Sequence, residues 1–296
     1  MTLPRAVHPG RFLMVNRRCT QQEFLLRPDA ATNQTYLYCL AVAAQRFQID
    51  VLLPSTMSNH HHDVILDRFG NEVRFREYFH MLLARSMNAL RGRRENFWSS
   101  DAPCTVELDG REAVMDKLVY AAVNPVAADL VERVHHWPGV NGLGDLLAGR
   151  TLTIERPRHF FREEGVLPAE VTLTLVIPPE LGDPEEVRRE LRERVAAAEE
   201  AAIVRRRKAG RRVLGRRGVK RQPVTARPAT FTWPGGFRPT LATRDTWRRV
   251  AARQRDAIFL DDYRRARHLW LAGFDAVFPA GTYWLARFAR VTVAAR

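Results

Sequence analysis

The sequence predicts an α+β protein: a ferredoxin-like antiparallel sheet with helices on one face, followed by a basic, mostly helical C-terminal extension. Three observations carry that expectation. In the first half of the chain, short apolar runs alternate with longer stretches of helical spacing, in the order strand, helix, strand, strand, helix, strand, helix. Hydrophobic residues make up 46% of 296 residues, enough for a real core and too many for a disordered chain. After Gly149 the character shifts to charged helical segments and a dense run of cations. A chain this long fits two units. We expect a domain over residues 1–148 and a basic accessory domain over 149–296, linker-like at 205–240.

The elements follow in order. Phe12 to Asn16 is a short apolar strand closed by Arg17 and Arg18. Pro28 and Asp29 open a helix that runs through Phe47, with Leu37, Leu40, Ala41 and Ala44 at helical spacing. Ile49 to Leu53 is a strand that Pro54 should end, and His62 to Leu66 is its hairpin partner. A helix over 73–90 gathers Phe75, Phe79, Leu82 and Leu83, and a strand over 105–108 precedes a helix over 111–124 that Pro125 should end. Layered packing of those helices on one sheet is the simplest solution for this order. Farther on, Val171 to Ile177 alternates as a strand. Asp183-Pro184-Glu185-Glu186 reads as the start of a helix reaching about Arg207. Residues 222–240, rich in Pro, Gly and Thr, read as a loop, and a last helix spans about 245–271. Trp247, Trp270 and Phe274 are expected to pack the second domain.

Charge narrows the function classes. Lys and Arg number 47 against 33 Asp and Glu, a formal +14, and only Lys117, Lys208 and Lys220 are lysines. Guanidinium groups contact phosphate in bidentate fashion, so nucleic acid is the natural partner. Ten cations and no acid fall between Arg205 and Arg221. Three widely spaced cysteines, Cys19, Cys39 and Cys104, argue against both a disulfide framework and a cysteine zinc site. With no apolar leader and no apolar run of about 18 residues, the expectation is a soluble cytoplasmic protein, nucleoid-associated in the bacterial manner.

Two stretches carry chemistry. In Met57-Ser58-Asn59-His60-His61-His62, a strand places His60 and His62 on one face and His61 on the other, and imidazoles at i and i+2 can hold one divalent ion. In Tyr120-Ala121-Ala122-Val123-Asn124-Pro125, a helix places Tyr120 and Asn124 one turn apart on one side. Each has a plainer reading: a surface histidine triplet, and a core tyrosine with a helix-terminal asparagine.

Taken in order, the two motifs resemble the single-tyrosine HUH transposases, in particular the REP-associated tyrosine transposases. The family pattern Met-Pro-Asn-His-x-His is met by Met57 to His62. The pattern Tyr-x-x-x-Asn-Pro-Val-x-Ala-x-Leu-Val is met by Tyr120, Asn124, Pro125, Val126, Ala128, Leu130 and Val131, and Trp137 fits a tryptophan that the family often carries. The likeness spans about residues 8–140. It departs at His61, where the family has an apolar residue, and at Ser99 to Pro103, where relatives show a Gln-x-Arg-Phe-like sequence.

The resemblance implies nicking and joining of single-stranded or hairpin DNA through a 5′-phosphotyrosine. Tyr120 would be the nucleophile, and His60, His62 and Asn124 the ligands of Mg²⁺ or Mn²⁺. Lys117 either helps the phenolate or is a solvated helix charge. Asp63, turned away by strand alternation, is expected to be structural. Arg17, Arg18, Arg91, Arg93 and Arg94, with Arg205, Arg206, Arg207, Lys208, Arg211, Arg212, Arg216, Arg217, Lys220 and Arg221, are the expected nucleic-acid contacts. Phe97 and Trp98 stack a base or pack the core. Three readings stay open: the metal-dependent DNA nicking and joining enzyme, as a monomer or homodimer; a domesticated, non-catalytic nucleic-acid-binding protein on the same scaffold; and a phosphodiesterase that uses water.

Overall fold

The computed structural model describes residues 4–229 and 239–295, so part of the expected loop, 230–238, lies outside the described residues. Strand β1 (Arg11–Arg18) leads into helix α1 (Ala30–Phe47), then strands β2 (Ile49–Thr56) and β3 (His60–Asp67), helix α2 (Glu72–Arg91), strand β4 (Cys104–Leu108) and helix α3 (Arg111–Ala127). Next come α4 (Leu143–Ala148), the hairpin β5 (Thr151–Glu155) and β6 (Glu170–Thr174), α5 (Pro184–Lys208) and α6 (Gly215–Arg221). The C-terminal portion contains β7 (Leu241–Ala242), α7 (Thr246–Leu271), β8 (Val277–Phe278), α8 (Trp284–Phe288) and β9 (Thr292–Val293). The main sheet runs β2-β3-β1-β4-β7, antiparallel except for the β4–β7 pair. This is the α+β architecture that the sequence predicts.

Local chemistry sets the boundaries. The Asp29 carboxylate caps α1, accepting from the Thr32 N–H and hydroxyl, each at 2.8 Å. Gln48, left-handed at φ 54°, closes the helix. The Asp67 carboxylate gathers the N–H groups of Phe69, Gly70, Asn71 and Glu72 and so turns the chain from β3 into α2. Pro54 does not end its strand. It pairs with Asp63 inside β2, which is an edge strand where a missing N–H leaves no ladder bond unmade.

Helices lie on both faces of the sheet, not on one as expected. The side chains of His61 and Asp63 meet α1 and α2 through Tyr36 and His80, whereas His62, one residue between them, meets α3. Tyr36, Leu40, Phe75, Phe79 and Ile65 are buried on the α1/α2 side.

The core also crosses the boundary expected at residue 148. Ile154, Val171, Leu173, Leu191 and Val219 join the same cluster as the first domain's core. Tyr38 donates to the Pro168 carbonyl at 2.6 Å, and Arg111 pairs with Glu190 at 2.5 Å. After residue 239 the packing thins. Phe278 is buried against Tyr263 and Trp270, but Trp247 and Phe274 are 82% and 65% exposed, so the expected aromatic packing of the second domain is confined to a few rings. Among the described residues, no helix is long and apolar enough to cross a membrane.

Burial alone would raise the pKa of Asp29, but the Thr32 bonds and the nearby Arg91 outweigh it and hold the carboxyl below its ordinary value. The unfolded chain therefore binds the proton more readily, and the cap's contribution is complete above the unfolded carboxylate pKa of about 3.9. It is lost as pH falls through the lower native value. Asp29→Ala should cost about 1 kcal/mol in urea unfolding near neutrality, with the difference from the parent vanishing in strong acid.

Candidate active site

Two elements build the site. Because residues alternate along β3, His60 and His62 face α3 with ring centroids 4.8 Å apart, and the Tyr120 ring lies 5.3 Å from that of His62. Asn124 follows Tyr120 by one turn of α3, and its Nδ2 is buried without a partner. Tyr120 is 47% exposed, so its ring reaches the pocket while one side remains open to solvent.

Helix α3 does not stop at Pro125, contrary to expectation; it continues to Ala127. Proline removes the N–H that would bond the Ala121 carbonyl. That carbonyl instead accepts from the Ser55 hydroxyl at 2.9 Å, and the Ala122 carbonyl accepts from the Asn141 amide at 2.9 Å. These bonds tie the turn carrying Tyr120 and Asn124 to β2 and to Asn141, which bridges to Ser55 beside that strand. They went unforeseen because a lone serine in a strand carries no visible signal of its partner.

Electrostatics keep both imidazoles neutral. Burial, then the charges of Arg18 and His61, push His60 down to about 3. Burial, then His60, His61, Arg18 and Lys117, hold His62 well below the ordinary histidine value. Asn59 Oδ1 lies 2.6 Å from His60 Nδ1, which makes Nδ1 the donor and leaves the Nε2 lone pair available. Neither ring nitrogen of His62 has a partner, though both are buried. Burial raises the Tyr120 hydroxyl above the usual phenol value, with the Arg18 charge opposing. Lys117 Nζ sits 5.1 Å from the Tyr120 ring centroid, a cation–π distance.

Among the described residues, no group of three or more His, Cys, Asp or Glu side chains is placed to hold an ion. Two neutral imidazoles with free lone pairs and an amide one helical turn from Tyr120 make a donor set of another kind. The buried, unpartnered ring nitrogens of His62 are what a missing partner would leave, and Asn124 would join them through Oδ1, the lone-pair atom of its amide. The residues fit a divalent cation.

Behind the sheet, the departure at His61 has a structural role. The His61 ring is fully buried, with Nδ1 2.9 Å from Asp63 Oδ2, close but not aligned as a full hydrogen bond. Its Nε2 meets His80 Nε2 at 3.0 Å. Tyr36 donates to both Asp63 oxygens at 2.6 and 2.8 Å. Arg17 reaches this side, with NH1 3.3 Å from His80 Nδ1.

Apart from Arg17, the expected nucleic-acid contacts divide four ways. Arg18 is exposed, and its charge acts on His60, His62 and Tyr120. Arg91 and Arg93 are engaged internally, with Asp29 at 3.0 Å and Glu23 at 3.1 Å. In the basic run, Arg205, Arg206 and Arg211 gather around Asp129 at 3.9, 4.0 and 3.2 Å, which docks the segment against the end of α3. Arg94, Arg207, Lys208, Arg212, Arg216, Arg217, Lys220 and Arg221 are exposed. Phe97 and Trp98 are buried in the core.

No family model and no curated protein matches the chain. Among solved structures, the chain is similar to one described as a REP-associated tyrosine transposase bound to a REP hairpin. The two are 14% identical, the alignment covers 55% of this chain and 88% of that one, and the TM-score is 0.41. A likeness of this degree assigns neither family nor activity.

Ser55→Ala should leave the Ala121 carbonyl buried without a donor and cost about 1–3 kcal/mol. Urea unfolding of the variant checks this directly; an unchanged midpoint would show that Ser55 does not support the helix.

Proposed function

We propose that the protein nicks and rejoins single-stranded DNA, with Tyr120 as the attacking group. One observation carries the reading: a solvent-reachable phenol beside two neutral imidazoles whose lone pairs have no partner in the protein. The Tyr120 oxygen attacks phosphorus, a Tyr120 O–P bond forms and the P–O3′ bond breaks. The phenolic proton is released and the departing O3′ takes up a proton, leaving a free 3′-hydroxyl and a 5′-phosphotyrosine. Reversal by a 3′-hydroxyl restores the phosphodiester with no outside energy source.

His60, His62 and Asn124 are the residues that would hold Mg²⁺ or Mn²⁺, which supplies Lewis-acid stabilisation of phosphate charge when bound. The chain's own cations also contribute. Because burial raises the Tyr120 pKa, the phenol is protonated at neutral pH, and the positive charges of Arg18 and Lys117 favour the developing phenolate. Asn59 fixes the His60 tautomer. The exposed cations of α6 and the end of α5 supply phosphate contacts for the rest of the strand, and Arg91 and Arg93 stabilise the fold.

With Mn²⁺ and labelled single-stranded or hairpin DNA, a denaturation-resistant protein–DNA adduct should form. Tyr120→Phe should abolish it, and His62→Ala should lower its rate by roughly 10²–10³ while the circular dichroism stays unchanged. DNA binding without an adduct would identify a non-catalytic binding protein. Cleavage that survives Tyr120→Phe and is lost in His62→Ala would identify a hydrolase using water.

A further inference from the structure

On the sheet face opposite Tyr120, an open depression of about 410 Å³ lies between the end of α2 and the segment leading to β4. Three guanidinium groups, Arg17, Arg85 and Arg94, line it, against one acid, Glu95. Among the described residues, none of the three has a carboxylate partner, in contrast to their neighbours Arg27, Arg91 and Arg93, which pair with Asp29 and Glu23.

Arg17 is the informative member. It is half-buried, its Nε is buried without a partner, and its guanidinium lies 5.4 Å from the Trp98 ring centroid. Its orientation is fixed from behind. NH1 meets His80 Nδ1, His80 meets His61, and the Trp98 indole donates to the His80 carbonyl at 2.9 Å. Burial, then the charge of Arg76, lowers the Arg17 pKa to about 10. A cation taken out of water without a counter-charge carries a desolvation cost that an incoming anion offsets.

A second orphan group is of opposite character. Asn88 also lines the depression; its Nδ2 donates to the Glu95 carbonyl at 2.8 Å, which fixes the amide and leaves Oδ1 buried and unpartnered. Oδ1 accepts hydrogen bonds, so a bare phosphate cannot satisfy it, whereas an N–H or O–H of a nucleoside can. Three unpaired guanidiniums and one unpaired acceptor together match a nucleotide.

We propose that this depression is a second binding site for one nucleotide unit of the DNA strand, its phosphate on Arg17, Arg85 and Arg94 and its base or sugar donor on Asn88 Oδ1. The proposal rests on the reading of the protein as one that binds single-stranded DNA, and it assigns the strand a path past the edge of the sheet to the side away from Tyr120.

The test uses full-length Tyr120→Phe protein without metal, so that no result depends on the tyrosine chemistry. Inorganic phosphate, thymidine 5′-monophosphate and oligothymidylate are titrated while the Trp98 indole N–H is followed by NMR, with Trp98→Phe identifying the signal. Salt dependence of oligothymidylate binding is measured in parallel for Arg85→Gln/Arg94→Gln and for a control pair, Arg189→Gln/Arg264→Gln, exposed on α5 and α7. Oligothymidylate should shift the Trp98 signal in the parent, and the pocket variant should lose the shift. Its slope of log affinity against log salt should fall by up to about 0.7, the value for the one phosphate these side chains share, with little change in the control pair. Mononucleotide or phosphate binding as tightly as oligothymidylate would overturn assignment to the strand. A Trp98 signal unmoved by every probe, with the pocket and control variants alike in slope, would overturn the site itself. A failed adduct assay leaves this outcome standing, and a negative result here leaves the adduct assay untouched.

Discussion

The register of one strand governs this molecule, and a fully buried imidazole on its hidden side fixes it. His61 faces α1 and α2 among Tyr36, Phe79, His80 and Trp98, next to the carboxylate of Asp63. A slip of β3 by one residue would exchange its faces, bringing His61 forward and driving His60 and His62 into an apolar core. The buried polar chain from Tyr36 through Asp63, His61 and His80 to Arg17 comes together in only this register. Order on the reverse of the sheet thereby sets which imidazoles face α3, with the His62 ring beside that of Tyr120.

Much of this was legible in the residues. Alternation along a strand has a fixed period, so the shared face of His60 and His62 followed from spacing alone, as did the turning away of Asp63. Helix starts at Asp29, Asp183 and Asp245 could be read because a carboxylate satisfies the free N–H groups of a first turn, and each does so here. The two prolines were harder. Pro54 sits within a strand because β2 lies at the sheet edge, and Pro125 within a helix because Ser55 and Asn141 satisfy the carbonyls it affects. Both depend on partners far away in sequence. Nor could sequence periodicity reveal that α3 covers the face opposite α1 and α2.

Charge shows the same limit. Between Arg205 and Arg221 the sequence holds ten cations and no acid, yet Asp129, more than seventy positions earlier, meets three of them. Composition counted those three with the rest; folding divides the run into internal fasteners and exposed cations. Arg91 and Arg93 are fasteners as well. Arg17 belongs to neither class, being half-buried and held by His80 with no carboxylate beside it.

The short β7 also shapes how the protein behaves among its own copies. The carbonyls of Thr240, just before it, and of Ala242 within it accept the N–H groups of Glu107 in β4 and of Asp109 just after β4, each at 2.9 Å, and Arg255 and Arg248 hold the carboxylates of the same two residues at 3.0 and 2.9 Å. A chain cut before this strand would present β4 as a bare hydrogen-bonding margin, open to pairing with another molecule. The C-terminal portion therefore guards against self-association of the sheet, whatever else it contributes.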